Sequence, residues 1–235
     1  MAARQRRFSD RVEAGRLLAE VLTSRVRPPL LVLGVPRGGV VVAAQVAARL
    51  AAPLDVVVPR KVGAPGNPEL AVGAVADGVW ALDEPAIRRL GLDMAAVRAE
   101  VARQTVEVAR RTAAYRRGLP PLELAGRTAV LVDDGVATGW TCAAAASSVR
   151  RAGAARVVLA VPVGPSGLAD RLASVVDQVV VLVTPDPYLN VGQVYEHFPQ
   201  VDDEEVLGCL AQARAEGPAA GVTGEASPGL PMPPR

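Results

Sequence analysis

Apolar positions along the chain fall into two patterns. Five short stretches are apolar throughout or nearly so: 30–35, 54–58, 129–132, 156–163 and one within 175–183. Stretches of this length, rich in Val, Leu and Ala, read as strands buried on both faces, as in a parallel sheet. Between them the period becomes helical. Asp10 followed by Glu13 has the form of a capping box, and Val12, Leu17, Leu18, Val21 and Leu22 give one apolar face, which predicts a helix near 11–24. Gly38-Gly39 opens a second helix near 39–51. Residues 83–117 turn helical with a break at 91–93, where Asp93 caps a longer piece carrying Val97, Val101, Thr105, Val108 and Thr112 at helical spacing. An alanine-rich helix follows the third strand, to about Arg151. Strands alternating with helices imply an α/β fold, a parallel twisted sheet of about five strands flanked by helices with right-handed crossovers.

Residues 62–82 break this rhythm. Gly63, Pro65, Gly66, Asn67 and Pro68 mark a loop, and the apolar runs 70–75 and 79–82 flank Asp77-Gly78, a hairpin signal. A β-hairpin standing off the main sheet is expected there. Residues 1–7 read as a frayed basic lead-in, and the Gly-, Pro- and Ala-rich stretch 216–235 as a disordered tail.

Composition narrows the class. A chain of 235 residues, half of them hydrophobic, supports one domain with a substantial core. A net charge of +2 signals no general polyanion binding, so no nucleic-acid partner is expected. Two cysteines, Cys142 and Cys209, fit a reducing compartment better than a disulfide framework. The N-terminus lacks an apolar signal core and no apolar run is long enough to span a bilayer, so a cytoplasmic protein with no membrane partner is expected.

The candidate chemistry concentrates in 128–141, T-A-V-L-V-D-D-G-V-A-T-G-W-T. An apolar strand ends in Asp133 and Asp134, whose carboxylates can accept hydrogen bonds from two neighbouring sugar hydroxyls. The loop Gly135, Val136, Ala137, Thr138, Gly139, Trp140 and Thr141 can offer backbone N–H groups, hydroxyls and a helix N-terminus to a phosphate. Ordinary turn chemistry and a Thr138 helix cap are the plain alternatives. No Gly-Lys-Ser/Thr ending makes a Walker loop, and the acid pair precedes the glycines instead of following them as in a dinucleotide site. Val35, Pro36, Arg37, Gly38 and Gly39 follow the first strand, and loops at the carboxyl ends of neighbouring strands share a crevice. Arg60-Lys61, after the second strand, should reach the same place. Phe8, Tyr188, Tyr195 and Phe198 can stack on a planar base or fill a satellite core. His197 reads as a surface residue and Cys142 as a small buried spacer.

These strings resemble the type I phosphoribosyltransferases, over about residues 8–205. The similarity runs closest to a bacterial subgroup of predicted phosphoribosyltransferases with no settled acceptor, through Phe8-x-Asp10-Arg11, 34–39, 60–69 and Val191-Gly192-Gln193-x-Tyr195. The resemblance implies a Mg²⁺-dependent transfer of ribose 5-phosphate from phosphoribosyl pyrophosphate to a small-molecule nitrogen acceptor, with release of pyrophosphate. It places the 5′-phosphate on 135–141, the ribose hydroxyls on Asp133 and Asp134, directly or through a hydrated metal, and pyrophosphate on Pro36, Arg37, Gly38, Gly39, Arg60 and Lys61. It makes 62–82 a flexible loop closing over the substrate, and 8–25 with 184–205 a hood whose Phe8, Arg11, Tyr188 and Tyr195 face the acceptor. Ala137 stands where hypoxanthine-guanine enzymes carry an acid, which argues against a 6-oxopurine, and Trp140 where a small residue is usual. A sensor of the same donor is the alternative reading, and a homodimer is left open as the assembly.

Overall fold

The computed structural model describes residues 7–216. Most of the expected lead-in at 1–7 and tail at 216–235 therefore lies outside the described residues, but Glu216 itself closes a helix. Five strands, β1 (Leu30–Gly34), β2 (Leu54–Val56), β6 (Thr128–Val132), β7 (Arg156–Val163) and β8 (Gln178–Val183), form one parallel sheet in the order β2-β1-β6-β7-β8. Alternation sorts each strand between two cores. Leu30, Val32, Val130 and Val132 face α1 (Arg11–Thr23), α2 (Gly38–Leu50) and α7 (Asp203–Glu216), through Leu18, Val46 and Leu210. Leu31, Leu33, Ala129 and Leu131 face α5 (Trp140–Arg151), through Ala144, Ala145 and Val149. Both faces being covered is why these strands read as unbroken apolar runs.

The helices expected to start at Asp10 and Asp93 do so. The Asp10 carboxylate accepts the Glu13 amide at 2.8 Å, and the Glu13 carboxylate reaches back to the Ser9 amide. Asp83 caps α3 (Glu84–Arg89) and Asp93 caps α4 (Met94–Tyr115). Two helices were not foreseen. The short α6 (Leu168–Leu172) is one, and α7 is the other. Only Val206 and Leu210 of α7 are buried, too few to give a periodic signal against its charged remainder.

The hairpin expected over 62–82 is larger than the pattern indicated. It is a separate three-stranded antiparallel sheet of β3 (Pro59–Ala64), β4 (Asn67–Ala76) and β5 (Val79–Leu82). Val62, Ala64, Val72 and Val75 bury against Ile87, Val97, Val101 and Val108. The loop expected at 63–68 shrinks to a tight turn at Pro65-Gly66, with a register shift at Gly63 that hides the strand period. Arg60 and Lys61, read as loop, lie inside β3.

Asp77-Gly78 does turn β4 into β5, with φ of 42° and 73°. Burial raises the Asp77 carboxyl above its ordinary 3.8, against a lowering hydrogen bond from the Ser148 hydroxyl at 3.3 Å. The folded state thus holds its proton more tightly than the unfolded one, so stability is lost as pH rises from about 3.8 through the folded value. Asn tolerates positive φ and carries no charge. Asp77 keeps much of its surface in solvent, so the gain is small: Asp77→Asn is expected to raise the Tm at pH 7 by about 1 °C and to leave it unchanged below pH of about 3.8, as read by calorimetry at both pH values. Among the described residues no helix is long and apolar enough to cross a membrane.

Candidate active site

Register brings the site together. Gly34 of β1 lies opposite Val132 of β6, so the loops leaving both strands emerge at one level, and the Val35 amide donates to the Val132 carbonyl at 2.8 Å. Chain separated by nearly a hundred residues thus shares one crevice at the carboxyl end of the sheet.

The first loop runs directly into α2, and its peptide between Pro36 and Arg37 is cis. Two glycines then press against the acid pair. A Cβ on Gly38 would sit 1.9 Å from Asp134 Oδ2, and one on Gly39 would sit 2.8 Å from Asp133 Cα. No other residue type leaves room for both carboxylates here.

The acids are not equivalent. Asp133 Oδ1 accepts the Asp134 amide at 2.8 Å, and burial together with neighbouring Asp134 pushes its carboxyl well above the usual range. Asp134 Oδ2 accepts Arg11 Nε at 2.8 Å, both side chains largely buried. Burial raises the Asp134 carboxyl too, and Arg11 opposes that rise.

The second loop is tied down from outside. The Val136 amide donates to the Val163 carbonyl at 2.9 Å, the Tyr188 hydroxyl to the Val136 carbonyl at 2.7 Å, and the Tyr195 hydroxyl to the Asp134 carbonyl at 2.6 Å. Gly139 caps α5 at φ 90°, a conformation suited to glycine. Among the described residues the amides of Ala137, Thr138 and Gly139 have no hydrogen-bond partner, which leaves them for an anion at the start of α5.

A cavity of about 280 Å³ is lined by these loop residues with Asp133, Asp134, Pro36, Arg37, Gly38 and Lys61. It gathers most of the residues singled out in the sequence, and the others lie around it. Gly39 lies beneath the acid pair. Trp140 turns its ring onto the α5-side core, so only its backbone faces the loop. Arg60 projects from the opposite face of β3 to Lys61, and its Nε donates to Gln104 Oε1 on α4 at 3.1 Å. Tyr188 acts on the loop from behind.

The hood departs from its expected role. Phe8 is fully buried, its ring 5.5 Å from that of Tyr195, which is 3% exposed and stacks at 4.7 Å on Phe198. Phe8 and Tyr195 therefore build a satellite core with Ala14, Val163 and Val194, and their faces are closed to a base. Phe198 stays part-exposed. Its ring lies 3.8 Å below the Arg11 guanidinium, beside a second cavity of about 340 Å³ that Arg37 and Gly38 also line. The Cys142 thiol is buried, and burial with Asp133 raises it, so it is a spacer and not a nucleophile. His197 is exposed and donates its amide to the Ser9 carbonyl.

Among the described residues no group of three or more His, Cys, Asp or Glu could hold a metal ion. The two adjacent carboxylates still suit Mg²⁺, which takes hard oxygen donors, keeps several waters and commonly shares phosphate oxygens.

Three comparisons bear on this geometry. Residues 11–186 match the family profile of the phosphoribosyl transferase domain. A protein of Mycobacterium tuberculosis, provisionally named as a phosphoribosyl transferase in two strains alike, is 47% identical over 216 residues. That match covers 92% of this chain and 49% of the relative, so the chain spans about half the length of the curated relatives it matches. The crystal structure of TT1426 from Thermus thermophilus is 47% identical with a TM-score of 0.74, covering 88% of this chain and 98% of that one.

Proposed function

The chain belongs to the phosphoribosyl transferase domain family, and on that premise we propose that it moves ribose 5-phosphate from phosphoribosyl pyrophosphate to a small nitrogen nucleophile. The observation that carries this reading is one cavity that combines partner-free amides at a helix start, two strand-end carboxylates and two cations, Arg37 and Lys61. A ribose 5-phosphate donor presents the complementary groups: a dianionic phosphate, vicinal hydroxyls and a pyrophosphate leaving group.

In this reading the 5′-phosphate lies on the amides of 137–141 and the hydroxyls of Thr138 and Thr141. Asp133 and Asp134 accept from the ribose hydroxyls. Arg37, Lys61 and the start of α2 take the pyrophosphate. The anomeric carbon–oxygen bond breaks with its electron pair going to pyrophosphate, and the acceptor nitrogen supplies the pair for the new carbon–nitrogen bond and releases a proton. Fixed cations near the leaving oxygens stabilise the charge that builds there, and the carboxylates stabilise the positive charge on the ring. Mg²⁺, when bound by Asp133 and Asp134 with donor oxygens, supplies further neutralisation of the phosphates. The cavity beside Phe198 shares Arg37 and Gly38 with the donor cavity, which supports it as the side from which the acceptor approaches.

The test is a pyrophosphate-release screen over purine and pyrimidine bases and small amines, with Mg²⁺ and the donor. At least one acceptor is expected to give turnover. Lys61→Ala is then expected to raise the donor KM about tenfold, and Arg60→Ala, which faces α4, to change it by less than about threefold. Donor binding without release for any acceptor would favour the sensor, and no donor binding would end both readings.

A further inference from the structure

We propose that Tyr188, Tyr195 and Arg11 are positioning residues of the donor site, which aim the phosphate loop and Asp134 from behind and do not stack on the acceptor. The inference rests on the donor-site reading above and goes beyond it.

A loop that binds an anion must turn its amides inward and its carbonyls away, since an inward carbonyl would repel phosphate. Nothing local in the string Gly135-Val136-Ala137-Thr138 enforces that choice. The C-terminal segment does. Tyr195 and Tyr188 hold two carbonyls of one short stretch, those of Asp134 and Val136, at 2.6 and 2.7 Å. The Val136 amide between them is taken by Val163, and the amides of Ala137, Thr138 and Gly139 that follow are free.

Each tyrosine is itself braced. Tyr195 is packed between Phe8 and Phe198, and Tyr188 precedes the turn at 191–194, where Asn190 and Gln193 form a capping box. Arg11 completes the frame. Its Nε holds the Asp134 carboxylate, its Nη1 donates to the Pro199 carbonyl at 2.8 Å, and its plane lies on Phe198. Asp134 is thereby fixed at carbonyl and carboxylate at once. Positioning groups of this kind determine whether a site meets its ligand preorganised.

Two ligands separate this role from a general loss of structure. Ribose 5-phosphate probes the loop and acid pair; inorganic pyrophosphate probes the Arg37 side, to which neither tyrosine hydroxyl bonds. Tyr188→Phe keeps the ring and removes only the hydroxyl. With Mg²⁺ present, it is expected to weaken ribose 5-phosphate about tenfold by calorimetric titration, with pyrophosphate changed less than about twofold. Tyr195→Phe should show the same split, and its Tm confirms that each variant is folded. Unchanged ribose 5-phosphate affinity in both variants, or equal loss of both ligands, overturns the positioning role while leaving the donor site standing. A wild-type chain that binds neither ligand overturns the site and this inference together.

Discussion

Replacing both Asp133 and Asp134 with Asn is expected to lower pyrophosphate release by about 10³-fold or more. Each substitution is close to isosteric, so the backbone and the loop can stay in place. What goes is charge, at the point where the proposed mechanism makes the ribose ring cationic, and single preorganised groups of this kind are worth about 10²–10³ in kcat. The two single variants should also differ in a way that a merely structural pair would not. Asp133 is raised by burial and by its neighbour, so its charge opposes folding; Asp133→Asn keeps the oxygen that accepts the Asp134 amide and is expected to melt higher than wild type at neutral pH. Asp134→Asn leaves the buried Arg11 guanidinium without its counter-charge and is expected to melt lower. Pyrophosphate release with the acceptor found in the screen, read beside calorimetry on all three variants, gives the check. Full turnover by the double variant would remove these carboxylates from the mechanism.

How much of this could be seen in the sequence follows from the range over which each signal acts. Strands buried on both faces declare themselves as apolar runs, and Asp10, Asp83 and Asp93 bond to amides two or three residues away, so these helix starts carry a local signature. The acid pair and its loop were equally legible, because strand end, carboxylates, glycines and helix start are contiguous. Arg60 and Lys61 were not separable. Opposite faces follow at once if the segment is a strand, but Gly63, Pro65 and Gly66 masked the strand. The bond from Arg11 to Asp134 spans 123 positions and the tyrosine bonds about 50 to 60, and no local pattern announces a hydroxyl that ends on a distant carbonyl. The aromatics were visible as a cluster, yet whether such rings face ligand or core depends on what else fills the space. Here Val163 and Val194 fill it.

Gly38→Ala is expected to be strongly destabilising. Gly38 has no positive φ, so the reason is space and not backbone freedom. The added carbon would lie 1.9 Å from Asp134 Oδ2 and 2.6 Å from Arg11 Nε, inside the salt bridge. Arg11 is also held by Pro199 and Phe198, and Tyr195 holds only the Asp134 carbonyl, so the Asp134 carboxylate is the group that must swing away and leave Arg11. The methyl therefore breaks the pair, and breaking a buried pair costs roughly 3–5 kcal/mol. For a chain of this size that is about 10 °C in Tm. Affinity for ribose 5-phosphate should fall with it, because the same carboxylate lines the cavity proposed to hold the donor. Gly66→Ala is the contrast: φ there is 81° but nothing lies within 4 Å of the new carbon, so only backbone strain is added, at a turn remote from the acids. Removing the obstructed carboxylate gives the decisive comparison. In a Gly38→Ala, Asp134→Ala double variant the methyl finds room, so its stability loss should be clearly smaller than the sum of the two single losses. Strict additivity would mean that Gly38 and Asp134 do not meet as described.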